Sequence, residues 1–472
     1  MIKENAMKDP VKTRESEQRE LTRRIVQRDK PKGRFYALLV FLVVVLIHVV
    51  DEITSNVSGY VQSSIVTEFF VNGMGMSYND GLATMSSFTI VTGLTALISP
   101  FYKTLSDKYG RKPFLVFNTF CFGVGLFICF LAPNYWVYLI GVTVTTFFTG
   151  HDMQVLYVLE AAPSKYRTTF YGITKCIGTL GLVLVPLFRD HFMGNDPTKW
   201  RLVFLMCVLP VMLAVIVSFL FSRETDVFLD QRIRYLETPA EARKQEKDAA
   251  ESKSRQKSGI PGAVKYILHQ NGDIKWLFLA NIIFYIAASG FSSYYESLMY
   301  TNGMQTSEIT QALYVYPFVF AAIIGISGFV GDRFGRRRVV SIMNIGAVLG
   351  FILFLFACRN HWTPLMVGAL YGIYLGCYWT ASDYMMVMAS EKAPTALRAS
   401  VMATLNLLYI LSMGLGLITV IFLMSILPLS SACLIITVPF VLVSELILLT
   451  KVSDTRGADL NAVGKEADPA EN

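Results

Sequence analysis

Apolar runs of about twenty residues, separated by short polar turns, follow one another along most of this chain. They fall at roughly 36–60, 81–102, 113–132, 135–158, 168–188 and 201–221, then, after a polar interval, at roughly 275–299, 310–330, 339–357, 364–388, 400–425 and 428–450. At about 1.5 Å of rise per residue, each run is long enough to cross a hydrocarbon layer about 30 Å thick. The pattern predicts an all-α integral membrane protein, with twelve transmembrane helices in two six-helix sets and both termini on one side. It divides the chain into an arm (1–34), a six-helix unit (35–221), a linker (222–273), a second six-helix unit (274–451) and a tail (452–472). The arm is polar and of mixed charge, with eleven Lys or Arg, and is expected to be mobile.

Composition agrees with a bilayer setting. Of the 472 residues 53% are hydrophobic and 16% charged, against about 25% charged in a soluble protein. The net charge of +7 lies in the loops between apolar runs, which argues against a nucleic-acid partner. Lys and Arg crowd the arm, the linker and two internal turns, while the alternate loops carry only Arg189, Lys199 and Arg359. By the positive-inside rule both termini are cytoplasmic, in a plasma membrane or bacterial inner membrane. The first apolar run follows a long polar arm and exceeds a signal-peptide core, so no cleaved leader is expected. Seven Cys lie in apolar stretches without metal or disulfide spacing and read as small packing residues.

Two turns recur at half-chain spacing. Asp107-Lys108-Tyr109-Gly110-Arg111-Lys112 returns 225 positions later as Asp332-Arg333-Phe334-Gly335-Arg336-Arg337, preceded by Gly328, where the first copy has Lys103. Glu160-Ala161-Ala162-Pro163 with Arg167 returns 231 positions later as Glu391-Lys392-Ala393-Pro394 with Arg398. Topology-setting basic residues alone would explain the Arg and Lys but not the recurring Asp and Gly. Such repeats point to two halves related by a pseudo-two-fold along the membrane normal.

The first repeat resembles the signature loop of the major facilitator superfamily. The second resembles loops of its sugar-porter branch, the organic solute:proton symporters, as do Arg223-Glu224-Thr225-Asp226-Val227-Phe228-Leu229 and Asp454-Thr455-Arg456-Gly457-Ala458-Asp459-Leu460. The resemblance implies alternating access about a midplane site, in a monomer driven by the proton gradient without a bound cofactor. It also implies a gating latch in which Asp107, Gly110, Arg111, Gly328, Asp332, Gly335 and Arg336 work with Glu160, Arg167, Glu391 and Arg398. Exposed ion pairs are worth about 0–1 kcal/mol each, so such a cluster biases two states without locking either.

Charges within spans are expensive and mark function. Asp152 and Asp383 each lie eight residues before the repeated Glu and are symmetry mates. Lys175 lies eight residues after Arg167, with Asn406 as its mate. Sugar porters typically carry a sugar-binding Gln at the Lys175 position, which implies that Lys175 faces the cavity. It either neutralises Asp152 or attracts an anionic group on the substrate. His48, Asp51, Glu52 and Ser55 share a face of the first span. Asp51 matches the proton-coupling Asp of the branch, but the partner Arg is absent, its place falling near Ile140. Asp51, Glu52, Asp152 or Asp383 are the candidates for the proton, unless the first two simply face water at an outer mouth. His151 either tunes Asp152 or packs. On the seventh span, the hexose-binding Gln-Gln and Asn are missing near Phe284, Tyr285 and Gly290, whereas Tyr294 and Tyr295 match the gating Tyr pair. Asn281, Tyr285, Trp379 and Asn406 are candidate cavity polar or stacking groups, or ordinary packing.

These readings converge on secondary transport of a small polar organic solute, with an acidic sugar or carboxylated metabolite favoured by Lys175 and proton symport as the mode. A neutral-sugar porter or facilitator is the alternative, and the loops disfavour a drug-efflux antiporter. A non-transporting nutrient sensor would bear longer terminal domains. No nucleophile–base pair, metal motif or nucleotide loop suggests an enzyme or an ATP-driven pump.

Overall fold

The computed structural model describes residues 10–31, 35–98, 102, 105–106, 109–149, 157, 160, 167–239, 242, 260–269, 272–290, 292–394 and 397–455. Among them all regular structure is helical. A polar helix, α1 (Pro10–Asp29), precedes the first half. That half comprises α2 (Tyr36–Tyr60), prolonged by α3 (Gln62–Val66) and a π-helical turn to Asn72, then α4 (Tyr78–Leu94), α5 (Arg111–Leu131) and α6 (Tyr135–Thr149). It closes with α7 (Arg167–Leu180), extended by α8 (Leu184–Phe188) and a second π-helical turn to Met193, and α9 (Trp200–Phe221). Between the halves lie α10 (Asp226–Glu237) and α11 (Ile260–His269). The second half holds α12 (Ile274–Ala288) and α13 (Tyr295–Thr301), which form one interrupted span, then α14 (Thr306–Phe334), α15 (Arg336–Arg359), α16 (Pro364–Lys392), α17 (Arg398–Met424) and α18 (Leu429–Lys451).

Among the described residues eight helical segments are long and apolar enough to cross a membrane, and two shorter apolar helices, Tyr135–Phe148 and Ile274–Ala288, join them. Helices are the natural choice because hydrocarbon offers no partner for an unpaired backbone group. Large apolar side chains such as Phe117, Leu349, Leu411 and Phe422 point outward, as they do against lipid. Without a water-driven core, helices associate where small residues let backbones approach. Gly368, Gly372 and Gly376 line the face of α16 that packs on α14. A Cβ at Gly368 would strike the Ala312 carbonyl, and one at Gly372 would lie 2.8 Å from the Tyr316 carbonyl. The seven cysteines are free, six of them buried and Cys176 half-buried, as packing residues would be.

The structure departs from the sequence pattern in three places. The arm is helical over Pro10–Asp29, not structureless, because its charges find partners: Arg232 Nε and Nη2 bond Glu20 at 3.0 and 2.9 Å, tying α1 to α10. The hydrogen bonds from Arg232 hold the Glu20 carboxyl below its ordinary value. The seventh span is broken at Ser289 and resumes at Tyr295, where Gly290 fits closely against Ile436 and Thr437 of α18. The second signature stretch is not a long turn: α14 runs through Gly328 and Asp332 to Phe334, and Gly335 alone breaks the helix.

Candidate functional site

On one membrane face each half closes a clasp around its signature turn. Gly110 and Gly335 adopt φ of +118° and +94°, a region open to glycine, and each precedes a long helix. In the first half Glu224 Oε1 accepts the backbone N–H groups of Arg111 (2.7 Å) and Lys112 (3.2 Å), satisfying the start of α5. Any Cβ at Gly110 would collide with the other oxygen of Glu224. Arg111 pairs with Glu160 at 3.0 Å, and Thr225 donates to the same carboxylate at 2.5 Å. The second half repeats the plan more loosely. Asp454 Oδ1 accepts from Arg337 N at 3.3 Å, its Oδ2 fills the space beside Gly335, Arg336 lies 3.5 Å from Glu391, and Thr455 donates to Glu391. Burial pushes the Glu224 carboxyl above its ordinary value, despite the three backbone N–H groups directed at it.

Between the faces Lys175 of α7 meets Asp383 of α16, Nζ to Oδ2 at 3.1 Å, with side chains 33% and 47% exposed. This ion pair joins the two halves and remains open to water. Ser382, next to Asp383, bonds the Tyr285 hydroxyl at 3.0 Å, and the Tyr285 ring meets Tyr409 edge-on at 4.7 Å. Tyr409 also lines a cavity of about 470 Å³ whose walls carry Ser58, Ser86, Thr89, Thr92, Ser292 and the Tyr295 ring.

The opposite face is sealed between the halves. Glu296 of α13, fully buried, accepts from Ser63 N (2.7 Å) and Ser63 Oγ (2.5 Å) and pairs with buried Arg189 at 3.2 Å. Arg189 also donates to the Tyr60 carbonyl and, through Nε, to Thr310 Oγ1 at 2.9 Å. Tyr60 and Tyr316 hydroxyls meet at 2.5 Å, Tyr78 bonds Ser297 at 2.8 Å, and Tyr294 bonds Ser86 at 2.9 Å. Tyr295 stacks on Tyr371 with centroids 5.0 Å apart.

A six-plus-six helical chain with repeated clasps on one face, a seal on the other and an ion pair between them has the layout of an alternating-access carrier. The family described as "Sugar (and other) transporter" matches residues 43–461. This chain belongs to it. Among curated relatives, the cis,cis-muconate transport protein of Acinetobacter baylyi is 26% identical over 387 residues, covering 77% of this chain and 81% of that protein. Sugar transport protein 1 of Arabidopsis thaliana is 22% identical over 415 residues, covering 81% and 78%. In fold, the crystal structure of a D-xylose-proton symporter superposes with a TM-score of 0.67 at 17% identity, over 89% of this chain and 99% of that one. The relatives are transport proteins, and the chain is a membrane transporter of the major facilitator fold.

The transporter brings some predicted site residues together and separates others. Arg111 with Glu160, and Arg336 with Glu391, do meet, but each pair lies within one half. Arg398 instead caps the end of α16, donating to the Ser390 and Ala393 carbonyls at 3.0 and 3.4 Å, while Glu391 is held by Thr455 and Arg336. Asp107, His151 and Asp152 lie outside the described residues, as do the side chains of Arg167 and Asp332. A described partner of Lys175 is Asp383 across the interface, and the expected pairing with Asp152 falls outside the described residues. Asp51 and Glu52 are half-buried, and Glu52 Oε2 accepts from Asn56 at 3.4 Å. Asn281 is fully buried and donates to its own helix at Leu277 O, Asn406 is exposed, and Trp379 packs edge-on against Tyr378. Glu296 and Arg189 were missed. The available signal was an acid directly after the Tyr294–Tyr295 pair and an Arg at the end of an apolar run.

Proposed function

We propose that the protein is a proton-coupled symporter of a small carboxylated organic solute, working as a monomer without a bound cofactor and with both termini cytoplasmic. The Lys175–Asp383 pair carries this reading: a half-exposed ammonium held by an acid of the opposite half. A substrate carboxylate entering here competes with Asp383 for Lys175. Asp383, left without its counter-charge, is the acid we assign to the coupled proton, so that proton and solute bind together. With its ion pair replaced, the tether between α7 and α16 is released and the halves are free to rock. The density of Lys and Arg around the clasps supports their assignment to the cytoplasmic face, which makes the sealed face external. The muconate transport protein among the relatives supports a dicarboxylate-like solute.

A neutral polyhydroxylated solute is the second reading, favoured by the hydroxyl-lined cavity beside Tyr295 and Tyr409 and by the xylose carrier among the fold neighbours. Uptake and counterflow in proteoliposomes separate the two. With carboxylates as the solute, Lys175→Gln is expected to lower uptake at least tenfold. Asp383→Asn retains counterflow exchange but loses accumulation driven by a pH gradient. Full carboxylate uptake by Lys175→Gln contradicts the proposal, and neutral-polyol uptake by the same variant favours the second reading.

A further inference from the structure

A cavity of about 1000 Å³ opens on the clasp face, outside the transport pathway. Its roof is the C-terminal part of α1, and its walls are the first turns of α5 and the last turns of α9. The lining divides by chemistry. At the polar end stand Arg23, Lys30, Lys112 and Arg223; further into the membrane stand Phe117, Phe120 and Phe219, whose side chains are 51%, 46% and 63% exposed.

The cations at this opening are under-neutralised. Among the described residues Arg23 and Lys30 are exposed and meet no carboxylate. Arg223 donates to the Pro31 carbonyl at 3.1 Å and lies over the Tyr36 ring, its Cζ 5.5 Å from the centroid. Lys112 donates to the Phe219 and Ser222 carbonyls at 2.9 and 2.7 Å. The acids nearby are engaged: Glu224 with the start of α5, Asp29 and Asp230 with Arg28, and Asp226 with a partner of its own. Basic residues that only set topology need no shared cavity and no adjoining aromatic wall. Here the cations converge on one opening above a lipid-facing apolar slope.

We propose that this cavity is a binding site for an anionic phospholipid of the adjoining leaflet, its phosphate held by Arg23, Lys30 and Arg223 and its acyl chains lying along Phe117, Phe120 and Phe219. Arginine suits the role because its planar fork pairs with phosphate oxygens in a bidentate way, and basic groups at a membrane surface attract anionic lipid additively. The lipid joins α1 to α5 and α9 and so braces the first-half clasp against the membrane. The inference is independent of what the transporter carries.

Native mass spectrometry of the detergent-purified full chain, titrated with dioleoyl phosphatidylglycerol or dioleoyl phosphatidylcholine, tests it. The wild-type protein is expected to retain the glycerol lipid selectively. Arg23→Ala/Lys30→Ala, at two exposed positions, weakens that retention by roughly fivefold per cation removed. Arg23→Lys/Lys30→Arg keeps it. Equal retention of the two lipids by the wild type, a comparison that needs no variant, overturns the proposal, as does undiminished glycerol-lipid retention by the alanine variant. A thermal shift with inorganic phosphate equal to that with the glycerol lipid also overturns it, because the site would then take a free anion.

Discussion

The two membrane faces of this transporter are closed in different ways. On the face opposite the clasps, the hydrogen bonds run between the halves: Glu296 to Ser63, Arg189 to Glu296 and Thr310, Tyr60 to Tyr316, Tyr78 to Ser297. On the clasp face three described ion pairs, Arg111–Glu160, Arg336–Glu391 and Lys392–Asp273, each stay within one half, and Arg232–Glu20 and Arg28–Asp230 tie the arm to α10. Away from the sealed face, the described side-chain hydrogen bond that crosses between the halves is Lys175–Asp383. Among the described residues, the contacts that join the bundles are thus those of the Glu296 face and the Lys175–Asp383 pair, while the described clasp pairs lie inside one bundle. The structure captures the carrier closed on the Glu296 side.

The largest effect is expected from breaking the seal. Arg189 and Glu296 are 1% and 0% exposed, and removing one partner of such a pair leaves an uncompensated buried charge at a cost of about 3–5 kcal/mol. Arg189→Ala or Glu296→Ala should cut transport to below a tenth, with Arg189→Met/Glu296→Gln milder in thermal stability than either single change. Uptake assays and melting curves measure both. Equal stability of all three variants would show that the pair is not the seal.

A smaller effect compares the two clasps. Alanine at Gly110 or Gly335 must adopt a positive φ, at about 1–3 kcal/mol, and must displace Glu224 or Asp454 as well. Gly110→Ala should destabilise more, because its clasp is tighter: 3.0 Å for Arg111–Glu160 against 3.5 Å for Arg336–Glu391. Thermal denaturation of the two variants side by side gives the order, and a larger loss at Gly335 would reverse the ranking of the clasps.

The smallest effect is a response to acid. Burial alone would raise the Asp273 carboxyl, but the Lys392 ammonium and the Ser453 donors outweigh it and hold it below the ordinary aspartate value. A depressed carboxylate contributes stability at pH values above its unfolded value, and that contribution is lost as the pH falls through the depressed one. Stability should thus drop modestly only in acid below the usual carboxylate range. Lys392→Met should lessen that drop, which pH-resolved melting would detect.

Much of this was legible before any coordinates. Twelve apolar runs and two pairs of half-chain repeats define the family fold, and the glycines of the signature turn are where the backbone needs them. The Glu224-Thr225 and Asp454-Thr455 marks were visible as motifs, but not their work. Their contacts reach the ends of other spans between 64 and 117 positions away, which periodicity cannot report. The same holds for the Lys175 partner: register within a half was readable from the repeat, whereas the pairing across halves depends on how the bundles tilt. Glu296 escaped notice because the apolar run at 275–299 reads as one unbroken span, whereas the helix breaks after Ala288 and the short helix Tyr295–Thr301 turns Glu296 toward Ser63 and Arg189. The helix in the arm was not legible because composition describes an isolated segment, and α10 provides a partner for it.

The most direct test is a distance measurement by pulsed electron spin resonance, in protein whose native cysteines have been replaced. Spin labels at Met74 and Asn360 report on the sealed face, and labels at Tyr109 and Arg338 report on the clasp face. All four positions are exposed. Without substrate, the sealed-face pair should give a single short, narrow distance that lengthens when Glu296→Gln is introduced, while the clasp-face pair shifts the opposite way. A sealed-face distance that does not respond to Glu296→Gln would contradict the account, and would return the task of holding the halves together to the clasps.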